Sequence, residues 1–239
     1  MPRIIQFRSG PRHFFRLTLI EALIKNSLRK GVLLDAGCGD GSLSMRLAGR
    51  GFHVYAVDSS QKWCDIFKAR LRNSNLEERI KIFCFPLLDV DFEGGFFDCI
   101  ICGEVLEHIE DDLETLKKFY LLLKKDGILI LSVPLKNKGL DNWDRIAGHL
   151  RLYDYERLER MLVSAGFSVE KTLCWGYPFT KLYHRSIFLK WADKIKNEEE
   201  IIRPRRFITA LGKSYLVSVI LGVVFLIDIL FTPPDKAIG

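Results

Sequence analysis

Two carboxylates and an imidazole follow an apolar run in CGEVLEHIEDD, the stretch that covers residues 102–112. Glu104, Glu107 and His108 are spaced i, i+3 and i+4, which would place them on one turn of a helix. Side chains of these types can bind a divalent metal, transfer protons or simply occupy the start of a helix. A later histidine, His149, extends the set to two carboxylates and two imidazoles. The elements around these residues must therefore decide between the three roles.

A second motif, LLDAGCGDG at 33–41, turns from an apolar stretch into a helical one through three closely spaced glycines, Gly37, Gly39 and Gly41. Glycine is needed where the backbone takes a positive φ or lies against a ligand without an intervening Cβ. The pattern differs from the dinucleotide-binding G-x-G-x-x-G, because the last position is Ser42. Asp35 and Asp40 disfavour a phosphate beside this turn. The motif therefore predicts a binding loop for a cationic ligand.

Two further acids follow the next apolar stretches. Asp58 lies 21 residues beyond Gly37, where an acid can accept both hydroxyl protons of a ribose. Asp89 follows the third stretch and could accept a hydrogen bond from an adenine amino group. Each acid alone is typical of a helix cap or a turn. Three acids after three successive strands, beside a glycine turn, instead indicate a nucleoside-containing ligand.

The elements that must position these residues alternate between short apolar runs and amphipathic stretches. We predict strands at 32–37, 53–58, 80–85, 96–103 and 128–134, with helices between them. Strands that are apolar on both faces and alternate with helices are typical of a doubly wound α/β fold with a mostly parallel sheet. The pattern also predicts a helix at 111–127 that stops at Gly127, a long loop at 135–154, a helix at 155–166 and a strand at 167–177.

These motifs resemble, in type and order, those of the class I S-adenosylmethionine-dependent methyltransferases, and especially the methyltransferase type 11 and quinone-biosynthesis O-methyltransferase groups. The resemblance covers roughly residues 14–177, including LLDAGCGDG, VYAVDSS, PLLDV, FFDCIICGEVLEHIEDD and LKKDGILILSVP. It implies a Rossmann-like fold, S-adenosylmethionine as cofactor and methyl transfer as the activity.

The same resemblance assigns the cofactor-binding residues. Gly37, Cys38 and Gly39 would lie against the methionine portion, Asp58 would hold the ribose hydroxyls, and Leu88, Asp89 and Val90 would surround the adenine. Residues around Cys102 to Val105, including Gly103 and Glu104, would flank the positively charged sulfonium, in agreement with the acidic loop. The full predicted set is Asp35, Gly37, Cys38, Gly39, Gly41, Asp58, Ser59, Leu88, Asp89, Val90, Gly103 and Glu104.

Three interpretations of the glutamates and histidines remain open within this family. A minority of members, similar to small-RNA 3′-end methyltransferases and quinone-biosynthesis O-methyltransferases, use E-x-x-E-H with a later histidine to hold a divalent metal, which would here involve Glu104, Glu107, His108 and His149. Alternatively a histidine acts as a general base, or the side chains orient the acceptor. They could also be purely structural. The candidate catalytic residues are His108, His149 and Glu107.

Charge and cysteine content limit the partners and the compartment. Residues 1–31 carry seven basic groups and one acid, and residues 181–239 carry ten and six, whereas 32–180 is mildly acidic. Basic flanks suit an anionic membrane surface, and the chain has no recognisable nucleic-acid-binding module, so we expect no specific nucleic-acid partner. Six scattered cysteines and an N-terminus without an apolar signal region predict reduced thiols and a cytoplasmic chain.

The chain divides, on these patterns, into a basic helical segment at 1–31, the cofactor-binding domain at 32–177 and a basic extension at 178–239. Within the extension, 215–231 is an apolar stretch of 17 residues, interrupted by Asp228. It is short for a membrane span. The open alternatives are packing on the domain, association with a membrane interface near Arg203, Arg205, Arg206 and Lys213, and a true span.

The sequence therefore predicts S-adenosylmethionine-dependent methyl transfer to a small-molecule or lipid-like acceptor, at oxygen, nitrogen or carbon. Two alternatives belong to other classes. One is a module that binds the cofactor without catalysis, and the other is a nicotinamide-dependent oxidoreductase, which Ser42 and the acidic loop disfavour. The sequence gives no indication of the acceptor's identity or of the oligomeric state.

Overall fold

The computed structural model describes residues 11–135, 139–140, 142–176, 179–183, 223–230 and 232. The chain forms two compact units. The sheet unit comprises Leu23–Val133 and Glu156–Glu170, and the second unit comprises Met1–Ala22, Pro134–Tyr155 and Lys171–Gly239. The predicted residues Arg203, Arg205, Arg206 and Lys213, and most of 215–231, lie outside the described residues.

The sheet unit contains five strands in the order β3-β2-β1-β4-β5, and every neighbouring pair is parallel. The strands are β1 Val32–Ala36, β2 His53–Asp58, β3 Ile80–Cys84, β4 Phe97–Gly103 and β5 Leu123–Ser132. The helices, in chain order, are α1 Pro11–Ser27, α2 Ser42–Ala48, α3 Gln61–Leu71, α4 Asp112–Leu122, α5 Asn142–Ala147, α6 Tyr155–Ser164, α7 Phe179–Tyr183 and α8 at 223–230. This confirms the predicted doubly wound α/β fold.

The middle strands form the core of the sheet unit, which explains their unbroken apolar runs. Leu33 and Leu34 on β1, and Ile100 and Ile101 on β4, are fully buried. A central parallel strand is covered on both faces and therefore needs no polar side. Strand β5 is at the edge, and its residues from Gly127 onward are only half-buried.

The predicted boundary between the helix at 111–127 and the strand at 128–134 is wrong, since β5 already begins at Leu123. Helix α4 ends at Leu122 rather than continuing to Gly127, because the buried Leu123 already pairs with Phe97 of β4. The ladder is irregular between Phe97 and Cys99, and Asp126 has a φ of 63° where the chain turns. Pairing with β4 thus overrides the local preference of this lysine-rich stretch for helix.

The strand predicted at 167–177 is also wrong, since 167–176 form neither strand nor helix. Aromatic packing accounts for the difference. In the sheet unit, the Phe167 ring lies 5.4 Å from that of Tyr120. In the second unit, the Trp175 ring lies 5.1 Å from that of Phe15 and 5.9 Å from that of Phe225. These side chains pack in local aromatic clusters, and their backbone does not pair in a β-ladder.

The described part of the predicted C-terminal apolar stretch forms helix α8, which belongs to the second unit. Its inner side carries the buried Phe225 and Asp228, and Asp228 Oδ1 accepts a hydrogen bond from the Phe179 N–H at 2.9 Å. Within the described ranges, no helix combines the length and hydropathy that a bilayer crossing requires.

Candidate cofactor-binding site

The candidate site lies where the strand order of the sheet reverses. Strand β1 stands between β2 and β4, so the chain leaves β1 towards one side of the sheet and later returns to its other side. In open α/β sheets, ligands bind beyond the carboxyl ends of the strands at such a point. All twelve predicted cofactor-binding residues belong to the sheet unit, at or after the ends of its first four strands.

The glycine loop after β1 has the conformation that its composition predicts. Gly37, Gly39 and Gly41 have φ values of 76°, 52° and 75°. The N–H groups of Gly37 and Cys38 both donate to the Val57 carbonyl of β2, at 2.8 and 3.0 Å. The loop is therefore attached to the neighbouring strand through its own backbone.

The three glycines differ in what surrounds them. A Cβ on Gly37 would lie 2.2 Å from Val105 Cγ2, and a Cβ on Gly41 would lie 2.1 Å from the Phe67 ring. A Cβ on Gly39 would meet no atom within 4 Å. Packing inside the protein thus requires glycine at the outer two positions, whereas Gly39 faces open space. A ligand that needs close contact with the backbone fits at Gly39.

Asp58, at the end of β2, is held in place by the backbone around it. Its Oδ2 accepts a hydrogen bond from the Gly39 N–H at 2.8 Å, and its Oδ1 accepts one from the Ser60 N–H at 2.9 Å. Each carboxylate oxygen can accept a second hydrogen bond. The acid is therefore oriented and can still accept from ligand hydroxyls. Its neighbour Ser59 is exposed.

Asp35, at the end of β1, is a buried acid with a raised pKa. Its pKa is raised from 3.8 to about 6, chiefly by burial; hydrogen bonding from Ser44 opposes the rise, and the charges of Asp58 and Asp40 contribute to it. The Ser44 Oγ donates to Asp35 Oδ2 at 2.5 Å, and both side chains are buried. Sequence reasoning missed Ser44, which lies nine residues away on α2.

The segment after β3 forms a 3₁₀ turn at Leu87–Asp89. Leu88 is half-buried and its carbonyl oxygen accepts a hydrogen bond from the Lys118 ammonium group of α4, while Val90 is buried and Asp89 is exposed. One of the predicted adenine-binding residues, Leu88, is therefore held by a lysine that the sequence did not single out.

The cysteines in this region have thiols whose pKa is raised by burial. Burial, together with the charge of Asp35, raises the pKa of the Cys38 thiol far above its usual range. Burial does the same for Cys102, with smaller contributions from Glu107 and Asp35. All six cysteines are free in the structure. These two side chains serve as small neutral groups in the wall of the site.

The residues of the E-x-x-E-H motif do not share one helical turn, so that prediction is wrong. Glu104 has a φ of 59° and precedes the 3₁₀ turn formed by Leu106–His108. Its N–H donates to the Ser132 carbonyl of β5 at 2.8 Å, which fixes this strained conformation. Glu107 is fully buried and His108 is exposed, with a carboxylate oxygen and a ring nitrogen within 4.8 Å of each other.

His149 belongs to the second unit, where it pairs with an acid that the sequence reasoning missed. Its Nδ1 lies 3.0 Å from Asp144 Oδ1, and its N–H donates to the Asp144 carbonyl at 2.9 Å. Asp144 is 2% exposed. A carboxylate at Nδ1 fixes the orientation of the ring. The spacing D-x-x-x-x-H within one short helix and its cap is the signal that could have identified the pair.

A glycine turn with acids after successive parallel strands defines a nucleoside-binding α/β protein of the Rossmann-like class. The family model described as "Methyltransferase domain" matches residues 11–172, which is more than half of the chain. The chain therefore belongs to this methyltransferase family. The predicted resemblance to class I S-adenosylmethionine-dependent methyltransferases, and the class of enzyme it implies, are confirmed.

Individual proteins agree with this assignment. The ubiquinone biosynthesis O-methyltransferase of Psychrobacter arcticus is 28% identical over 166 residues, which is 63% of this chain and 65% of that protein. The magnesium-protoporphyrin O-methyltransferase of Synechocystis is 29% identical over 180 residues, which is 71% of this chain and 76% of that protein. Other curated relatives are matched over only 42 to 50% of their length.

A solved structure shares the fold. The phosphoethanolamine N-methyltransferase 2 of Haemonchus contortus, in complex with S-adenosyl-L-methionine, superposes with a TM-score of 0.62 at 19% identity. The superposition covers 94% of this chain and 52% of that protein.

Proposed function

We propose that this chain transfers the methyl group of S-adenosylmethionine to an oxygen atom of a small-molecule or lipid-like acceptor. The observation that carries the proposal is the open space at Gly39. The charged side chains in this loop and at the end of β1 are acids. A nucleoside with a positively charged tail matches this combination, whereas a pyrophosphate does not. The family match supports the same ligand.

Three of the predicted residues, Asp35, Asp58 and Glu104, have assigned roles in the proposed reaction. The cofactor supplies a methyl group already activated on a positive sulfur. Asp58 accepts from the ribose hydroxyls, and the charge of Asp35 favours the cationic end of the ligand. The wall beyond Glu104 aligns the acceptor, because methyl transfer depends mainly on holding the reacting atoms in line.

Proton removal from the acceptor is assigned to His149. A hydroxyl group attacks more readily as its proton leaves, and an imidazole oriented by a carboxylate is a common base for that step. The pair of His149 and Asp144 at 3.0 Å supports this role. The two curated relatives described above over most of their length are O-methyltransferases by name, which supports an oxygen nucleophile.

Two measurements test the proposal as a whole. Calorimetry with S-adenosylmethionine, S-adenosylhomocysteine and NADH is expected to give binding of the first two only, and binding of NADH alone would overturn it in favour of an oxidoreductase. Incubation with methyl-labelled cofactor and a lipid or metabolite extract is expected to label an acceptor. Cofactor binding without any labelled product would favour the non-catalytic module.

The first mutational prediction concerns the charge of Glu104. A carboxylate near the sulfonium stabilises the charged cofactor but not its neutral product. We expect Glu104→Gln to weaken S-adenosylmethionine binding several-fold and to leave S-adenosylhomocysteine binding nearly unchanged, measured by calorimetry. Glu114→Gln, on the exposed side of α4, is the control and should change neither affinity. An equal loss for both ligands would contradict the placement of Glu104 beside the sulfur.

The second prediction separates the base from the metal interpretation. If His149 is a base, His149→Ala should lose most of the labelling activity while cofactor affinity is retained, and added Mg²⁺, Mn²⁺ or Zn²⁺ should not restore it. Metal-dependent activity of the wild type that a chelator abolishes would instead favour a divalent ion held by the Glu–His set.

We also propose that the second unit contacts an anionic membrane surface through α8. The helix exposes only apolar side chains, namely Val223 at 53%, Leu226 at 52%, Ile227 at 38% and Leu230 at 78%. Asp228, which interrupts the apolar sequence, is buried and so does not interrupt this outer face. Phe179 and Leu182 of α7 are exposed as well, and the 181–239 segment is net basic. A short helix with such a face suits an interfacial position.

A third prediction follows for vesicle binding. The double variant Leu226→Glu with Leu230→Glu should lose co-sedimentation with phosphatidylglycerol vesicles, because two charges enter the apolar face. Val163→Glu, at an equally exposed apolar position on α6, is the matched control and should sediment as the wild type does. A wild type that stays in solution with these vesicles would overturn this proposal and leave the cofactor proposal untouched.

A further inference from the structure

Arg70, near the end of α3, contacts the glycine loop through a single guanidinium nitrogen. Its Nη1 lies 2.5 Å from Asp40 Oδ2 and donates to the Asp40 carbonyl oxygen at 2.6 Å and to Ser42 Oγ at 3.0 Å. The side chains of Arg70 and Asp40 are only 18% and 14% exposed. An ion pair withdrawn from water to this degree is screened less than a surface pair.

Asp40 also contacts the start of the next helix. Its Oδ1 accepts a hydrogen bond from the Ser42 N–H at 3.1 Å, at the start of α2. Arg70 thus connects α3, the loop and the first residue of α2 through one acid. Gly39 is fixed from the other direction by Asp58, at 2.8 Å. The open position of the loop therefore lies between two attachments.

A loop with three glycines at positive φ has many accessible conformations, and a ligand that must order it loses affinity. We propose that Arg70 is a positioning residue that holds the glycine loop in the conformation that accepts the cofactor. The inference rests on the proposed function only in taking S-adenosylmethionine as the ligand.

The ion pair also acts on the charge at the base of the site. The titratable groups that face Asp35 are Asp40, Asp58, Cys38 and Cys102. Both thiols are neutral, so the two acids supply the negative charge. Arg70 offsets that of Asp40. Without Arg70, the charge of Asp40 acts on Asp35 uncompensated and raises the pKa of Asp35 further. As the pH is lowered, cofactor affinity should therefore begin to fall at a higher pH than in the wild type.

The test compares Arg70→Met and Arg70→Lys with a matched arginine. Arg79 is also an arginine that donates to a main-chain carbonyl, that of Gly51 at 2.9 Å, but on the exposed side of the sheet unit. The readouts are S-adenosylmethionine affinity by calorimetry on either side of the Asp35 pKa of about 6, and amide hydrogen exchange of residues 37–42 without ligand.

We expect Arg70→Met to weaken binding roughly tenfold, as for the loss of a charged hydrogen bond. Arg70→Lys should recover part of the affinity and the wild-type pH dependence, because the charge remains. Loop exchange should be faster in Arg70→Met than in the wild type, and Arg79→Met should match the wild type in both readouts.

Wild-type affinity in Arg70→Met would overturn the inference, as would an equal loss in Arg79→Met. If the wild type binds neither cofactor nor product, the proposed function fails, and the exchange of the unliganded loop still decides the role of Arg70. Unchanged exchange in the Arg70 variants would then overturn it. If Arg70→Met does not fold, Arg70→Lys still tests the inference, because its affinity should lie below that of the wild type and of Arg79→Met, and equal affinity in all three would overturn it.

Discussion

Replacing Gly39 with alanine is expected to abolish most cofactor binding while leaving the protein folded. A Cβ at this position would meet no protein atom within 4 Å, so the cost to folding is limited to the φ of 52°, about 1–2 kcal/mol for a residue with a side chain. The same methyl group would occupy the space that the ligand needs. We expect S-adenosylhomocysteine affinity to fall by a factor of ten or more, measured by calorimetry.

The neighbouring glycines provide the contrast. Gly41→Ala would place a Cβ 2.1 Å from the Phe67 ring, and Gly37→Ala would place one 2.2 Å from Val105. Overpacking of this kind adds about 1–3 kcal/mol to the backbone cost. Urea unfolding should therefore show a larger loss of stability for these two variants than for Gly39→Ala. Unchanged affinity in Gly39→Ala would mean that the cofactor does not bind against this loop.

Asp35→Asn is expected to make the protein more stable and less able to bind its cofactor. Burial is the main cause that raises the pKa of Asp35 from 3.8 to about 6, so ionised Asp35 destabilises the folded state at neutral pH. That displacement corresponds to up to about 3 kcal/mol. Asparagine removes the charge and keeps the shape. The unfolding free energy should rise while affinity for S-adenosylmethionine falls at least tenfold, a trade-off common at functional sites.

The pH dependence of this effect has a defined sign. Between pH 3.8 and about 6, the folded state keeps a proton on Asp35 that the unfolded chain has already released. Wild-type stability therefore falls as pH rises through this window, and the cost is complete above it. The stability difference between Asp35→Asn and the wild type should be small near the lower limit and reach its plateau above the upper one.

Asp91→Asn is the control for this comparison, because Asp91 is exposed. Its unfolding free energy should remain within about 0.5 kcal/mol of the wild type at all pH values. A loss of stability in Asp35→Asn above pH 7 would mean that the hydrogen bonds of the carboxylate from Ser44 outweigh the cost of burying its charge.

The strands and the glycine loop could be predicted because their causes are local. Fully apolar runs such as that around Ile100 are required by burial on both faces of a parallel sheet, and glycines at alternate positions are required by a turn with positive φ. Asp58 could be placed because the end of β2 meets the glycine loop in any sheet with this strand order. Each of these inferences needs only the sequence within one element and its neighbour.

The errors arose where a distant partner decided the conformation. Leu123 leaves the helical pattern because Phe97 is available for pairing, and Trp175 leaves the strand pattern because aromatic rings of its own unit surround it. Glu104 adopts a positive φ because the Ser132 carbonyl holds its N–H. Local propensity carries no information about such contacts.

The supporting residues were missed for the same reason. Ser44 and Arg70 have no motif of their own, and their importance comes from the acids to which they donate. They lie on helices whose positions against the loop are fixed only by the complete fold. A sequence can name the residues that touch a ligand more readily than those that hold them.

The free cysteines provide a built-in probe of local opening. Cys38 lies in the glycine loop, whereas Cys99 and Cys102 lie in the central strand β4, and all three are buried with raised pKa values. A thiol in this state reacts with an alkylating reagent only when its surroundings open. The labelling rate of Cys38 therefore reports local opening of the loop, and the labelling rates of Cys99 and Cys102 report global unfolding. Ligand-dependent protection of one site but not the other would separate local from global stabilisation without any introduced label.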